Sequence, residues 1–292
     1  MQIESLKMFC DLAETQSFTK AAQISAVTQS AVSQQIGSLE RLFASLLIER
    51  SKKSFRLTRE GEIVYEFARQ IIQTYDSLQN KLQEIKDVIS GTIRLSTIYS
   101  IGLYDLPPYL KRYLKTYPSV NVHVEYRRAS QVYEDVLGNS VDLGLVAYPI
   151  KDIKLDFVPL RKDRLVLICH PKHSIAKKRK ARLSSLDGQM FIGFEPDVPT
   201  RQAIDKILKD HGVQVRHVME LNNIETVKRA VEIDAGISMV PQSTVAQEAA
   251  NQTLAQVEIE DGEFYRPLAA VMKKNKVLSP AIKQFLATLK GD

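Results

Sequence analysis

Residues 17–58 read SFTKAAQISAVTQSAVSQQIGSLERLFASLLIERSKKSFRLT, two short amphipathic segments separated by a four-residue break and followed by a basic hairpin pattern. In the second segment Val32, Ile36, Leu39 and Phe43 recur at helical spacing and make one apolar stripe. The opposite face holds Gln29, Ser30, Ser33, Gln34, Gly37 and Arg41, all small or hydrogen-bonding. A helix that only faces water carries several Lys and Glu, so this restraint points to close approach to another surface. Upstream, Ser17 is placed to cap the first segment, and Ala21-Ala22 lets a second helix cross closely. Thr28 stands where the second helix needs an N-cap for the amides of Ser30 or Ala31. Ile3, Leu6, Phe9 and Ala13 supply a further amphipathic helix, and the three together predict an all-α core.

A helix entering a DNA major groove needs short side chains, and amides pair with adenine edges. Gln29, Ser33 and Gln34 are therefore the candidates for base edges, with Thr28, Ser30, Arg50, Lys52 and Lys53 holding phosphates. Ile48 and Phe55-Arg56-Leu57 are predicted to pair across Ser51-Lys52-Lys53-Ser54 as a two-stranded wing with a cationic tip. Between Arg50 and Arg59 there are five Lys/Arg and no acid. The competing reading is an ordinary helical bundle with a hydrophilic face. The order of turn, small-polar face and basic wing argues against it.

These residues resemble the signature of the LysR-type transcriptional regulators: AAQISAVTQSAVSQQIGSLERLF, followed by ER, FRLT and Gly61. The resemblance extends over essentially all 292 residues. Ala44 departs from it, standing where the family has a glycine ending the recognition helix, and so do Ile48 and the glycine-free wing turn. An alanine in a left-handed C-cap costs about 1 kcal/mol, unless the helix ends differently. The resemblance implies an N-terminal all-α winged helix-turn-helix joined to an α/β, two-lobed, periplasmic-binding-protein-like (type II) sensing domain. It also implies a double-stranded DNA partner, a small-molecule effector, a homodimer that pairs into tetramers, RNA polymerase as a further partner, a cytoplasmic location and no cofactor. The units expected are 1–58 for DNA binding, 59–90 as the linker helix and 91–292 for sensing. The first sensing lobe is placed at about 91–160 with 267–292, and the second at about 161–266.

From residue 58 to about 89 no Gly or Pro follows Gly61, and at about 1.5 Å per residue such a helix reaches nearly 50 Å. Ile71, Tyr75, Leu78, Leu82, Ile85 and Ile89 step by four and three in alternation, a heptad seam that pairs with a second helix of its kind. The alternative is a helix packed on its own domain, for which so narrow a stripe leaves little surface.

After Ser90-Gly91 strands alternate with helices, which implies parallel sheets covered on both faces. Strands are expected at 93–97, 120–125, 142–147, 164–169, 190–193, 215–220, 237–240 and 264–272. Helices are expected at 106–117, 131–137, 200–211, 225–233 and 279–289. Crossovers between two lobes fall near 159–162 and 265–267. Ligands of such folds sit at the carboxyl ends of strands. This selects Thr97, Ser100, Ser130, Tyr148, Thr200, Arg201 and Asn223 as effector-binding residues. Hydroxyls, an amide and helix-start amides lean towards an anionic effector. Arg201 reads equally well as its ligand or as an ordinary salt-bridged arginine.

Composition is compatible with this: 44% apolar residues and a net charge of +6 suit a polyanion partner and many other soluble proteins. Cys10 and Cys169 are far apart in apolar contexts and read as buried thiols; a redox role for Cys169 is the minor alternative. No export signal and no apolar run of about 18 residues is expected. His170 and His173 lack a third metal ligand, and the Lys177-Lys178-Arg179-Lys180 run reads first as a solvated loop, with a second DNA or polymerase contact as the minor reading. An enzyme predicts paired carboxylates, a nucleophile elbow or a phosphate loop, and none is identifiable. A solute-binding protein for transport is the alternative function; it accounts for residues 91–292 and leaves the first 90 unexplained.

Overall fold

The computed structural model describes residues 2–51, 54–85 and 89–291. Lys52 and Lys53 lie outside the described residues, as do the side chains of Arg50 and Ile85.

The chain opens with α1 (Ile3–Thr15), α2 (Phe18–Ile24) and α3 (Gln29–Phe43). Ser17 accepts from the Lys20 amide and Thr28 from the Ala31 amide, so both short helices are capped by hydroxyls. Leu6, Phe9 and Leu12 of α1 meet Ala21 and Ala22 of α2 and Val32, Ile36 and Leu39 of α3 in one core. Each of the larger side chains contributes about 1.5–3 kcal/mol by leaving water. Phe43 departs from its expected place in that stripe: it is 39% exposed, because α3 ends beside it. Ala44 does take the left-handed cap, at φ 50° and ψ 35°. Buried Glu40 accepts the Leu47 amide at 3.1 Å and fixes the turn into the wing. The wing pairs β1 (Ile48–Ser51) with β2 (Ser54–Leu57) antiparallel, Ile48 opposite Leu57 and Ser51 opposite Ser54.

Helix α4 (Arg59–Ile85) follows, with Thr58 accepting the Gly61 amide at 2.9 Å. Gly61 is required there, since a Cβ would stand 2.1 Å from the Leu47 carbonyl oxygen. Val64, Tyr65, Ala68 and Ile72 pack on the three-helix core. The other side carries Ile63, Phe67, Ile71, Tyr75, Leu78 and Leu82, all exposed. Ile89, expected as the last residue of the seam, packs against the core of the first sensing lobe; residues 86–88 lie outside the described residues.

The rest is α/β. The elements are β3 (Gly91–Ile98), a π-helical turn (Ile101–Asp105), α5 (Leu106–Thr116), β4 (Val120–Arg127), α6 (Ala129–Leu137) and β5 (Leu143–Ala147). Then come β6 (Leu155–Cys169), β7 (Lys180–Ala181), β8 (Met190–Phe194), α7 (Pro199–Asp210), β9 (Arg216–Leu221) and α8 (Ile224–Glu232). The chain closes with β10 (Ser238–Pro241), α9 (Ala246–Ala250), β11 (Ala255–Ile259), β12 (Tyr265–Lys273) and α10 (Pro280–Lys290). In the first lobe β3 runs parallel to β4 and β5, as the alternation predicts. The second lobe is mixed: β10 and β11 pair antiparallel with β6, while β8 and β9 form a separate parallel pair. The two expected crossover segments, 159–162 and 265–267, lie in strands β6 and β12, which run side by side. Strand β6 continues unbroken from one lobe into the other, and β12 returns antiparallel beside it, with a register shift between Pro267 and Ala269. Separate apolar cores flank this double strand, one around Ile93, Leu145 and Phe285 and one around Leu167, Ile192 and Met239.

Candidate DNA and effector sites

On α3 the caps and core leave a flat polar face outward. Gln29, Ser30 and Gln34 are exposed and Ser33 is half-buried. Thr28 and Ser30 hydroxyls lie 2.9 Å apart. Gly37 adds no side chain to this face, and the space beyond it is open for at least 4 Å from an added Cβ. The Ser5 hydroxyl donates to Gln35 at 2.8 Å and ties the back of α3 to α1. The expected phosphate ligands Lys52 and Lys53, and the Arg50 side chain, lie outside the described residues.

Between the lobes lies a cavity of about 130 Å³. The carboxyl ends of β3, β4, β8 and β9 open onto it, and so do the starts of α6, α7 and α8. Ser100, Ser130, Thr200 and Asn223 line it, as expected from their strand-end positions. Thr97, Tyr148 and Arg201 do not. Thr97 is wholly buried, with its hydroxyl donating to the Ile98 carbonyl. Tyr148 sits at φ 50° and packs against the first lobe's core, where burial pushes its phenol up. Arg201 takes the salt-bridge reading: Nε bonds Asp205 at 2.7 Å, and Nη1 bonds Glu220 at 2.8 Å and the Phe194 carbonyl at 2.7 Å. Burial alone lowers its pKa, but the bonds to Glu220 and Asp205 outweigh that and hold it above the ordinary guanidinium value. Burial and the adjacent Arg201 both push His217 down.

Arg266 is the residue missed. It lines the cavity, is 1% exposed, and sits in the crossover strand β12. Nη1 donates to Ser100 at 2.8 Å and Nη2 to Asp163 at 3.1 Å. The Ser243 hydroxyl in turn donates to Asp163 at 2.6 Å, so a buried polar chain runs from one lobe through the hinge to the other. Burial holds Arg266 below the ordinary guanidinium range, and Asp163 pulls the other way. Its Nε has no hydrogen-bond partner among the described residues. The sequence signal was available: one arginine at the head of the apolar run PLAAVM.

Two further contacts bridge the lobes. Arg128, just before α6, reaches Glu195 at 3.0 Å and Asp197 at 3.6 Å across the cavity. On another flank the Tyr104 hydroxyl of the π-helical turn donates to Glu225 and accepts from Lys228. Lys228 is fully buried and also bonds Glu248 at 2.7 Å. Removing one partner of such a buried ion pair is costly.

No helix of the described residues is long and apolar enough to cross a membrane. Residues 3–62 match the family described as bacterial regulatory helix-turn-helix protein, lysR family, and residues 86–292 match the LysR substrate binding domain. The HTH-type transcriptional regulator CysL of Bacillus subtilis is 26% identical over 93% of this chain and 91% of its own. The regulatory domain of Synechocystis PCC6803 CcmR, solved in complex with 2-PG, is 28% identical, covers 69% of this chain and 97% of that domain, and superposes with a TM-score of 0.63. A full-length OxyR variant from Pseudomonas aeruginosa shares the fold over 99% of this chain and 98% of its own, with a TM-score of 0.74 at 19% identity. The chain belongs to the LysR family of transcriptional regulators, and is a DNA-binding, effector-binding, oligomeric transcription factor and not an enzyme.

Proposed function

We propose that two copies of this chain read a two-fold operator with α3 and respond to a small anion held between the lobes. The observation that carries the anionic reading is the cavity itself. Three helix starts converge on it, which favours negative charge, and the buried Arg266 lines it as a hydrogen-bond donor already paired with Asp163. The similar CcmR regulatory domain was solved in complex with 2-PG, which supports a small ligand in this domain. Ser100, Ser130, Thr200 and Asn223 supply the neutral hydrogen bonds, and Arg266 replaces Arg201 as the cationic ligand. The exposed apolar stripe of α4 supports pairing with a second copy, which sets two α3 helices on one duplex. In the same reading, dimers pair into tetramers through residues 91–292, and RNA polymerase is the downstream partner.

Gln29, Ser33 and Gln34 read base edges, while Thr28, Ser30, Arg50, Lys52 and Lys53 hold phosphates. Gln34→Ala is expected to relax preference at one base position at a cost of about 1–3 kcal/mol. Footprinting with a randomised operator measures this, and unchanged base preference would remove α3 as the reader. For the cavity, thermal shift of the full chain against small anions tests the class, since a ligand of the native state raises its melting temperature.

A further inference from the structure

The cavity has two cationic poles of different depth. Arg266 is at its floor, almost wholly buried, while the side chain of Arg128 is 48% exposed at its mouth. Arg127, the other arginine of the lining, is engaged within its own lobe by Glu125 and Asp135. The two poles are not equally available. At the floor Asp163 already pairs with Arg266, and Asp105 lies 3.9 Å away, so a single anionic group entering there meets a nearly neutralised cation. It gains the helix starts and little net charge. At the mouth Arg128 is held by Glu195 and Asp197, which belong to the loop between β8 and α7 on the opposite lobe. These carboxylates both compete for Arg128 and repel an incoming anion.

From this arrangement, and resting on the reading of the cavity as an anion site, we infer that the effector is a short two-headed anion. One head takes Arg266 and Ser100 at the floor. The other takes Arg128 and displaces Glu195 and Asp197. A cavity of about 130 Å³ admits only a small ligand, so the two heads must be close together. The second head therefore does more than add affinity. It breaks an ion pair that spans the lobes, which gives the ligand different contacts in the clasped and released arrangements. Such differential affinity is what shifts a conformational equilibrium. A single-headed anion satisfies the floor and leaves the clasp closed.

The test uses the full-length protein and calorimetric titration with malonate, succinate and phosphonoacetate against inorganic phosphate and propionate. Phosphate separates charge from geometry, because it is multiply charged but has one head. The two-headed anions are expected to bind at least about tenfold more tightly than phosphate or propionate. Arg128→Gln is expected to erase that preference and leave phosphate binding where it was. Glu195→Gln combined with Asp197→Asn removes the competitors. It is expected to tighten malonate or succinate about two- to fivefold, the range for releasing a largely exposed ion pair, with phosphate unchanged. This gain is a result that damage to the fold does not produce, and operator binding of each variant confirms an intact chain. Equal binding of phosphate and the two-headed anions overturns the inference and leaves the anion site standing. Weaker binding of every anion in the Glu195/Asp197 variant overturns it as well, since the clasp would then be part of the bound state. Absence of binding by any of the five probes overturns both the anion-site reading and this one.

Discussion

The ammonium of Lys273 lies 2.9 Å from Glu14, and this contact joins the last residue of β12 to the last turn of α1. Glu14 also accepts the Tyr65 hydroxyl at 2.8 Å and the Asn139 amide at 3.2 Å. One carboxylate thus gathers α1, α4 and the first sensing lobe. Strand β12 begins with Tyr265 and Arg266, so the strand that presents a buried arginine to the cavity ends on the DNA-binding unit. Sheet hydrogen bonds to β5 and β6 make it a stiff connection.

Lys273→Gln should loosen that junction without touching the cavity. Loss of one charge-assisted bond is worth about 1–2 kcal/mol. Amide exchange at residues 11–15 is expected to accelerate by about tenfold, with exchange around Arg266 unchanged. Anion affinity should hold, while the effect of a bound anion on operator affinity shrinks. Equal exchange rates in the two proteins would mean that the Glu14 contact contributes nothing to docking.

Asp11 lies in the same junction, and burial together with nearby Glu14 raises its carboxyl to about 6. A raised acid binds its proton more readily folded than unfolded. Its contribution to stability is therefore full below the unfolded value near 4 and is lost as pH rises through about 6. Asp11→Asn should accordingly be more stable than the parent at pH 7.5, by about 1 kcal/mol once solvent screening of this half-buried group is allowed for. The advantage should fade by pH 4. Denaturant melts at the two pH values check it, and a gain of equal size at both would assign the effect to something other than titration.

Ala44 holds a left-handed conformation at φ 50° that glycine adopts without a Cβ penalty. Its amide donates to the Arg41 carbonyl at 3.3 Å, and the Ser45 amide to the Glu40 carbonyl at 3.1 Å, so the cap is fully formed despite the alanine. Ala44→Gly should stabilise the N-terminal unit by about 1 kcal/mol, offset in part by the greater freedom of glycine in the unfolded chain. A lower melting temperature would show that entropy outweighs the relieved strain here.

What could be read from the residues alone follows from range of interaction. Ser17 and Thr28 as caps, the α3 stripe apart from Phe43 and the wing pairing are settled by neighbours within a few positions, and the structure reproduces them. Even the strain at Ala44 is local. The strand-end rule likewise placed Ser100, Ser130, Thr200 and Asn223 around one cavity. It left Arg201 open between ligand and salt bridge because its partner Glu220 is nineteen positions away on another strand, and only the assembled lobe aims the guanidinium. Arg266, Asp163 and Ser100 meet over separations of up to 166 residues, which periodicity cannot see. The mixed pairing of the second lobe escaped for a related reason. Short strands such as β7 and β11 carry little pattern, and long-range pairing to β6 decides their direction.

Ile63, Phe67, Ile71, Tyr75, Leu78 and Leu82 stand exposed along one side of a 27-residue helix whose other side packs on the N-terminal core. An apolar row of this length on a single chain is a surface waiting for burial. Leu78 is 54% exposed and Leu82 51%, so neither holds the single chain together and both can be replaced without opening its core. Leu78→Asp with Leu82→Asp would place four carboxylates in a paired seam, lose the apolar burial of each leucine, about 1.5–3 kcal/mol, and add repulsion. Sedimentation should then show dissociation of the α4-paired dimer at micromolar concentration. Operator affinity should fall by at least about a hundredfold, because one α3 binds alone, although every residue assigned to DNA remains. Circular dichroism and anion titration should be unaltered, which separates lost pairing from lost folding. If the variant sediments like the parent and binds its operator normally, the α4 stripe is not the pairing surface.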